Sequence, residues 1–305
     1  MKEIVEVWRY REVLWNLVRR NLKVRYKNSI LGFLWSLLNP LMQIGVWWFV
    51  FKIILDNPEP NYMALLITGF LPWLFFSQTV LDSTACVTQE MALVKKAYFP
   101  RMVLPLSALL SNLIHLGLAF VVLLALFAIW RVDINISYFL IIPATLLVAV
   151  FAYGLSAMLA AWSVFYADVK FIIGNLLGLW FFLTPVLYSA SGLLARQAIS
   201  GRELNWLQRL IQAGLPVIKQ VYLVDPVTIG VLGYRSGLLY GGGNPLLVRA
   251  GATRTEEAAR LLQAQLQAQY PIGHYIIGAT IVAVLVAIVG HLIFRRLSHL
   301  FAERG

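Results

Sequence analysis

Cysteine is almost absent from this sequence. Cys86 is the single one in 305 residues, so no internal disulfide can form and a cysteine-rich metal site is excluded. His115, His274, His291 and His299 are scattered, with no thiol or carboxylate at ligand spacing, and no metal is expected. The dipeptide Gly-Lys never occurs, so there is no GxxxxGK[ST] phosphate loop and no ATP hydrolysis by that route. Nor is there a pair of carboxylates, a Ser/His/Asp set or a Cys/His pair spaced for catalysis, and no catalytic residue is assigned.

Charge is scarce as well. Only 13% of residues are charged and 60% are hydrophobic, where a soluble domain has about a quarter charged. Acidic residues are the scarcer sign, 14 against 25 Lys and Arg, for a net charge of +11. The cations gather at the edges of long apolar runs, which points to anionic lipid and not to nucleic acid. Those runs, at about 30–55, 62–86, 103–130, 137–162, 171–189 and 272–294, are each long enough to cross a hydrocarbon core of about 30 Å. The expected fold is therefore an all-α polytopic membrane protein with six transmembrane helices. The first apolar run starts only at residue 30, so no cleavable leader is expected.

Orientation follows from the cations. Eight Lys/Arg precede Ile30, three lie in 87–101, one in 163–170 and three after 294, against none in 56–61 and one in 131–136. The eight in 190–270 lie in a segment too long for the positive-inside rule to count. Both termini are expected in the cytoplasm, and the protein in the cytoplasmic (inner) membrane.

Residues 1–29 read as an interfacial amphipathic helix, with Ile4, Val7, Trp8, Leu14, Trp15, Val18 and Leu22 on one face. The alternative is a helix packed on a soluble partner. Residues 30–189 hold the first five spans. In the first, Gly32, Ser36, Asn39 and Gln43 share a face and Pro40 interrupts the helix, with Ser29 as its cap. Gln78, Asp82 and Gln89 continue a polar stripe on the second span, and Ser107, Ser111 and His115 on the third. Such stripes serve either a hydrated route or hydrogen bonds between helices. Asp82 reads as a buried, paired or protonated carboxyl, and Asp168 as a loop residue beside Lys170. Residues 89–98 form a short cytoplasmic helix ended by Pro100. Gly174 and Gly178 in span five allow close helix approach. Residues 190–270 are expected outside, with short or re-entrant helices, a hinge at 241–245 and a capped helix from Thr253. The last span and a cytoplasmic tail fill 271–305.

Five separated segments, in order and spacing, resemble one family: "RYKNSILGFLWSLLNPLMQ", "GFLPWLFFSQ", "ALVKKAYFPRMVLPLSALLSNLIHL", "YADVKFIIGNLLGLWFFLTPVLYS" and "VDPVTIGVLGYRSGLL". They are similar to the type-2 ABC exporter permeases, in the branch that exports polysaccharides and polyol phosphates such as O-antigen, capsule and teichoic acid. The chain departs at Asp225-Pro226, where the family commonly has Asn-Pro, and at Ala167-Asp168, where it has an Arg-Asp pair.

The resemblance implies a homodimer whose subunits each engage a separate cytoplasmic ATPase, which would bind the ATP; the permease itself needs no cofactor. Residues 89–98 would be the coupling helix, with Lys95, Lys96, Tyr98 and Phe99 at the ATPase. The external re-entrant helices would gate the exit. The path would run between subunits, lined by Trp35, Ser36, Asn39, Gln43, Trp180 and Phe181, whose hydroxyl, amide and aromatic groups suit a sliding sugar chain. For Trp47, Trp48 and Trp73 an interfacial belt is the preferred reading. Arg19, Arg20, Lys23, Arg25 and Lys27 would meet a lipid-linked pyrophosphate, or else only anchor the helix to anionic lipid. The function so implied is export of a lipid-linked cell-surface polysaccharide. The alternatives are a drug or small-lipid exporter, a stand-alone proton-coupled flippase, or a membrane enzyme.

Overall fold

A computed structural model describes residues 2–25, 34–57, 62–96, 98–129, 136–190, 220–239 and 272–301. Ser29, Lys27, the hinge at 241–245, the helix from Thr253 and most of the 190–270 segment lie outside them. The described helices are α1 (Lys2–Arg9), α2 (Arg11–Arg25), α3 (Leu34–Trp48), α4 (Tyr62–Gln89), α5 (Met91–Lys96), α6 (Val103–Ile129), α7 (Ile141–Phe165), α8 (Val169–Leu183), α9 (Pro226–Leu238) and α10 (Ile272–Ser298). No strand occurs among the described residues. The protein is an all-α polytopic membrane protein.

Four stretches, Tyr62–Gln89, Val103–Leu124, Ile136–Phe165 and Gly273–Ser298, are long and apolar enough to cross a bilayer. They match the second, third, fourth and sixth expected spans. Of the first, the described residues begin at Leu34; the fifth is shorter. α3 carries Pro40 inside it, with no amide hydrogen for the Ser36 carbonyl, and runs on as a π-helix over Phe49–Ile54. α8 has 15 residues, which is about 22 Å of rise. It stops because Pro185 bars its predecessor from helical geometry; Thr184 is extended, at φ −79° and ψ 142°.

Helix α4 is the centre of the bundle, buried along most of its length and packed on α7, α6 and α9. Its position explains Trp73, which is 5% exposed and packs in the core against Phe76 and Phe181, not in an interfacial belt. The most extensive contact joins α7 to α10. It depends on two glycines: a Cβ on Gly290 would overlap the Gly154 carbonyl, and one on Gly154 would overlap the backbone of Val286 and Ala287.

The N-terminal segment folds as two helices, α1 and α2, joined through Tyr10, whose amide donates to the Glu6 carbonyl (3.0 Å) and whose carbonyl accepts from Leu14 (3.0 Å). Its packed side takes in Val7, Leu14 and Val18 of the expected apolar face and leaves out Trp8 and Trp15. Tyr10, Val13, Leu14 and Leu17, at helical spacing, pack with Val87, Val94, Phe99 and Phe301. Trp8 and Trp15 are 72% and 46% exposed. α2 is wedged against α6, and the indoles of Trp8 on α1 and Trp15 on α2 are left outside the packed side.

Candidate functional site

Polar side chains from three helices meet where α2 crosses the bundle. Arg25 on α2 donates through Nη2 to Asp82 Oδ2 (2.5 Å) and through Nη1 to Asn112 Oδ1 (3.2 Å). Asn112 Nδ2 donates to the same Asp82 oxygen (2.9 Å) and to the Ala108 carbonyl (3.1 Å). Asp82 is thus paired, bound to a cation 57 positions away, but it is not buried: its side chain is 38% exposed. One turn and a half earlier on α2, Arg20 pairs with Glu90, just ahead of α5. Arg19 instead lies over the Trp15 ring, and Lys23 is exposed.

Beside the Arg25 pair opens a cavity of about 200 Å³, lined by Arg25, Trp35, Asn39, Gln78, Asn112 and His115 together with apolar side chains of α4 and α6. The structure thus brings together one member each of the expected head-group cluster and of the second and third polar stripes, with two of the channel residues. Gln43 is exposed further along α3, away from this cavity. The other members of the third stripe turn inward on their own helix: Ser107 Oγ donates to the Leu104 carbonyl (2.7 Å) and Ser111 Oγ to the Ser107 carbonyl (2.6 Å). Trp180 and Phe181 sit among other aromatics of the same chain: Trp180 is 5.3 Å from Phe76 and 5.9 Å from Phe151, and Phe181 is 5.8 Å from Trp47 and 5.6 Å from Trp73. Phe181 is buried, so in this conformation its ring serves packing.

The short helix expected at 89–98 spans Met91–Lys96, opened by the Glu90 carbonyl, which accepts from Leu93 (2.9 Å) and Val94 (3.0 Å). Lys95 and Lys96 are exposed, and Tyr98 is 98% exposed. Phe99 is not available as a docking anchor. It is 8% exposed and packs with Val94, Phe294 and Phe301, because Pro100 and the start of α6 turn it back into the bundle.

At the opposite end, sequence reasoning missed the residue that does most. Arg235, on α9, is 2% exposed. Its Nη1 donates to the Tyr188 carbonyl (3.1 Å), and Nη2 to those of Pro185 (2.5 Å) and Val186 (3.3 Å). Tyr62 Oη takes the Leu187 carbonyl between them (2.7 Å). The turn after α8 is non-helical backbone inside a bundle, and such backbone persists only where side chains replace the lost helical partners. Gly69 on α4 completes the seat: a Cβ there would stand 3.0 Å from Val186 Cα and 3.2 Å from Arg235 Nη2. Three motifs far apart in sequence, "GFLPW", "LTPVLYS" and "DPVTIGVLGYR", converge on this guanidinium. Asp225 caps α9, accepting from the amides of Val227 (3.3 Å) and Thr228 (3.0 Å), a role Asn fills equally well. Burial pushes the Asp225 carboxyl above its usual range, and those hydrogen bonds pull it part of the way back.

Residues 12–219 match the model of the ABC-2 type transporter family. The chain belongs to that family. This ABC-2 transporter chain is also 36% identical to the O-antigen export system permease protein RfbA of Myxococcus xanthus over 193 residues, 61% of this chain and 72% of that one. It is 31% identical to the protein of the same name from Klebsiella pneumoniae over 175 residues, 57% of this chain and 68% of that one. The family match covers α2 to α8, and so includes the Arg25 cavity, α5 and the turn at Pro185 that Arg235 holds.

Proposed function

We propose that this chain is the permease subunit of an ATP-driven exporter that moves a lipid-linked cell-surface polysaccharide, such as O-antigen, across the cytoplasmic membrane. The observation that carries this reading is the 36% identity to an O-antigen export permease across most of that relative's length. A cytoplasmic ATPase would supply the energy, since the chain has no phosphate loop of its own. The exposed flank of α5, with Lys95 and Lys96, together with Tyr98 beyond its end, is its docking surface. A second copy would close the conduit against α3 and α8, where Gly174 and Gly178 have no atom within 4 Å of where a Cβ would stand. Both termini face the cytoplasm, and the cations of α2 meet the head group or the anionic leaflet.

The test is biochemical and cellular together. Purified alone in lipid nanodiscs, the chain should hydrolyse no ATP, and hydrolysis should appear with its ATPase subunit. A strain deleted for the chain should lose surface polymer and regain it from a plasmid copy. Hydrolysis by the isolated chain, or surface polymer at full level in the deletion strain, overturns the reading.

A further inference from the structure

We propose that Asp82 is an internal stand-in for a substrate phosphate. A phosphate-bearing head group entering the cavity displaces Asp82 from Arg25, and the guanidinium then holds the phosphate in its place. This deepens the export reading and rests on it for the identity of the ligand.

The geometry of the pair carries the inference. Among the described cations ahead of α3, Arg25 alone lines the cavity. Its two terminal nitrogens diverge, one to a carboxylate oxygen and one to the Asn112 amide, so the planar fork is never engaged by two oxygens of one anion. A phosphate offers several oxygens to that fork at once, the bidentate arrangement for which a guanidinium is shaped. Asp82 also shares a single oxygen, Oδ2, between Arg25 and Asn112, so both donors are released together when it leaves. The two charged side chains are 33% and 38% exposed. An ion pair so open to water is worth little and exchanges readily. Asp82 itself does not line the cavity, so it holds Arg25 from behind, while Asn39, Gln78 and His115 face the cavity beside the guanidinium, with Trp35 and Leu74 providing the apolar wall that the first isoprene unit of a lipid carrier would meet. The Arg20–Glu90 pair is also an arginine with a carboxylate, but there the fork is already engaged by both Glu90 oxygens, and the pair lines no part of the cavity, which makes it an internal control.

The exchange is measured by titrating the purified full chain in detergent with farnesyl diphosphate, inorganic pyrophosphate and farnesol. D82N removes the competing charge and should tighten farnesyl diphosphate about fivefold, the scale of an exposed ion pair. R25K should weaken it about tenfold, because an ammonium cannot fork. E90Q should leave it within about twofold, and D82N should gain nothing in the R25K background. Farnesyl diphosphate binding more tightly than pyrophosphate assigns the site to a lipid head group; equal affinities assign it to a free phosphate anion, and both support the exchange. Unchanged or weaker binding in a D82N protein that melts like wild type overturns it. So does an equal gain in E90Q, which would be general electrostatics, or farnesol binding as well as its diphosphate. The two readings fail separately. Loss of surface polymer on deletion without tightening in D82N removes the exchange and leaves export; tightening in D82N with normal surface polymer in the deletion strain does the reverse.

Discussion

Replacing Arg235 by Met tests whether side-chain hydrogen bonds hold the turn after α8. Methionine keeps much of the volume and the flexibility of the stem, so the change removes the guanidinium and little else. Three carbonyls, at Pro185, Val186 and Tyr188, then lose their donors in a site that is 2% exposed around Arg235. Each buried acceptor left unsatisfied costs about 1–3 kcal/mol, offset in part by the relief of no longer burying a charge. The net expectation is a loss of about 3–5 kcal/mol, and at about 2 °C per kcal/mol for a chain of this size the melting temperature should fall by about 6–10 °C. R235K should fall between, since one ammonium has three donors but cannot spread them across a plane. Cys86 provides the assay. It is the only thiol, is buried at 9% exposure, and lies toward the other end of α4, so its reaction with a fluorogenic maleimide on heating reports cooperative opening. If R235M melts within about 1 °C of wild type, the hydrogen bonds to the turn contribute nothing net, and the reasoning is wrong.

Gly290→Ala should drive α7 and α10 apart and deplete the protein from the membrane, whereas Gly174→Ala, with open space around it, should accumulate normally; immunoblots of membrane fractions decide this. Phe99→Ala should cost about 3–5 kcal/mol of stability in the maleimide melt, because the ring is buried among Val94, Phe294 and Phe301. Tyr98→Ala should change stability by no more than about 0.5 kcal/mol and still weaken capture of the ATPase subunit; normal capture would remove Tyr98 from the docking surface. With Cys86→Ala as background, a cysteine at Lys95 should resist an impermeant reagent added to whole cells, and rapid labelling there would invert the orientation drawn from the Lys/Arg distribution.

What could be read in advance was whatever depends on hydrophobic length alone. The expected spans 62–86, 103–130 and 272–294 end within a few residues of α4, α6 and α10, because an apolar run has no other way to satisfy its backbone in lipid. The early end of α8 was present in the sequence as Thr184-Pro185, but length arguments pass over a single proline. Amphipathic spacing found the helical segment of residues 2–25, though not its division at Tyr10, without saying which flank meets protein; only the packed surface of α6 decides that Val18 is buried and Trp15 is not. Arg25 and Asp82 were each conspicuous, as a cation at a membrane edge and an acid inside a span. Their pairing depends on how α2 crosses α4, which no local pattern encodes. Arg235 was illegible for a deeper reason. Its partners are main-chain carbonyls, which every residue has, so no complementary side chain marks the site. The available signal was the oddity of an arginine within the apolar stretch "VTIGVLGYRSGLL".

The glycine contact between α7 and α10 also says something about how the molecule can move. Helices that meet through side chains slide past one another as rotamers hop, in small steps at little cost. Where Gly154 meets Gly290 there is no side chain to yield. A shift along the axis would bring the next residues of the same faces, Met158 or Phe294, against bare main chain, so the two helices behave as a gear locked on one tooth and travel as a single strut. Whatever rearrangement accompanies a transport cycle is thereby assigned to other seams. α3 and α8 touch the bundle through Trp47, Phe181 and their aromatic neighbours, rings that can tilt and restack, and it is along those surfaces that shear is cheapest.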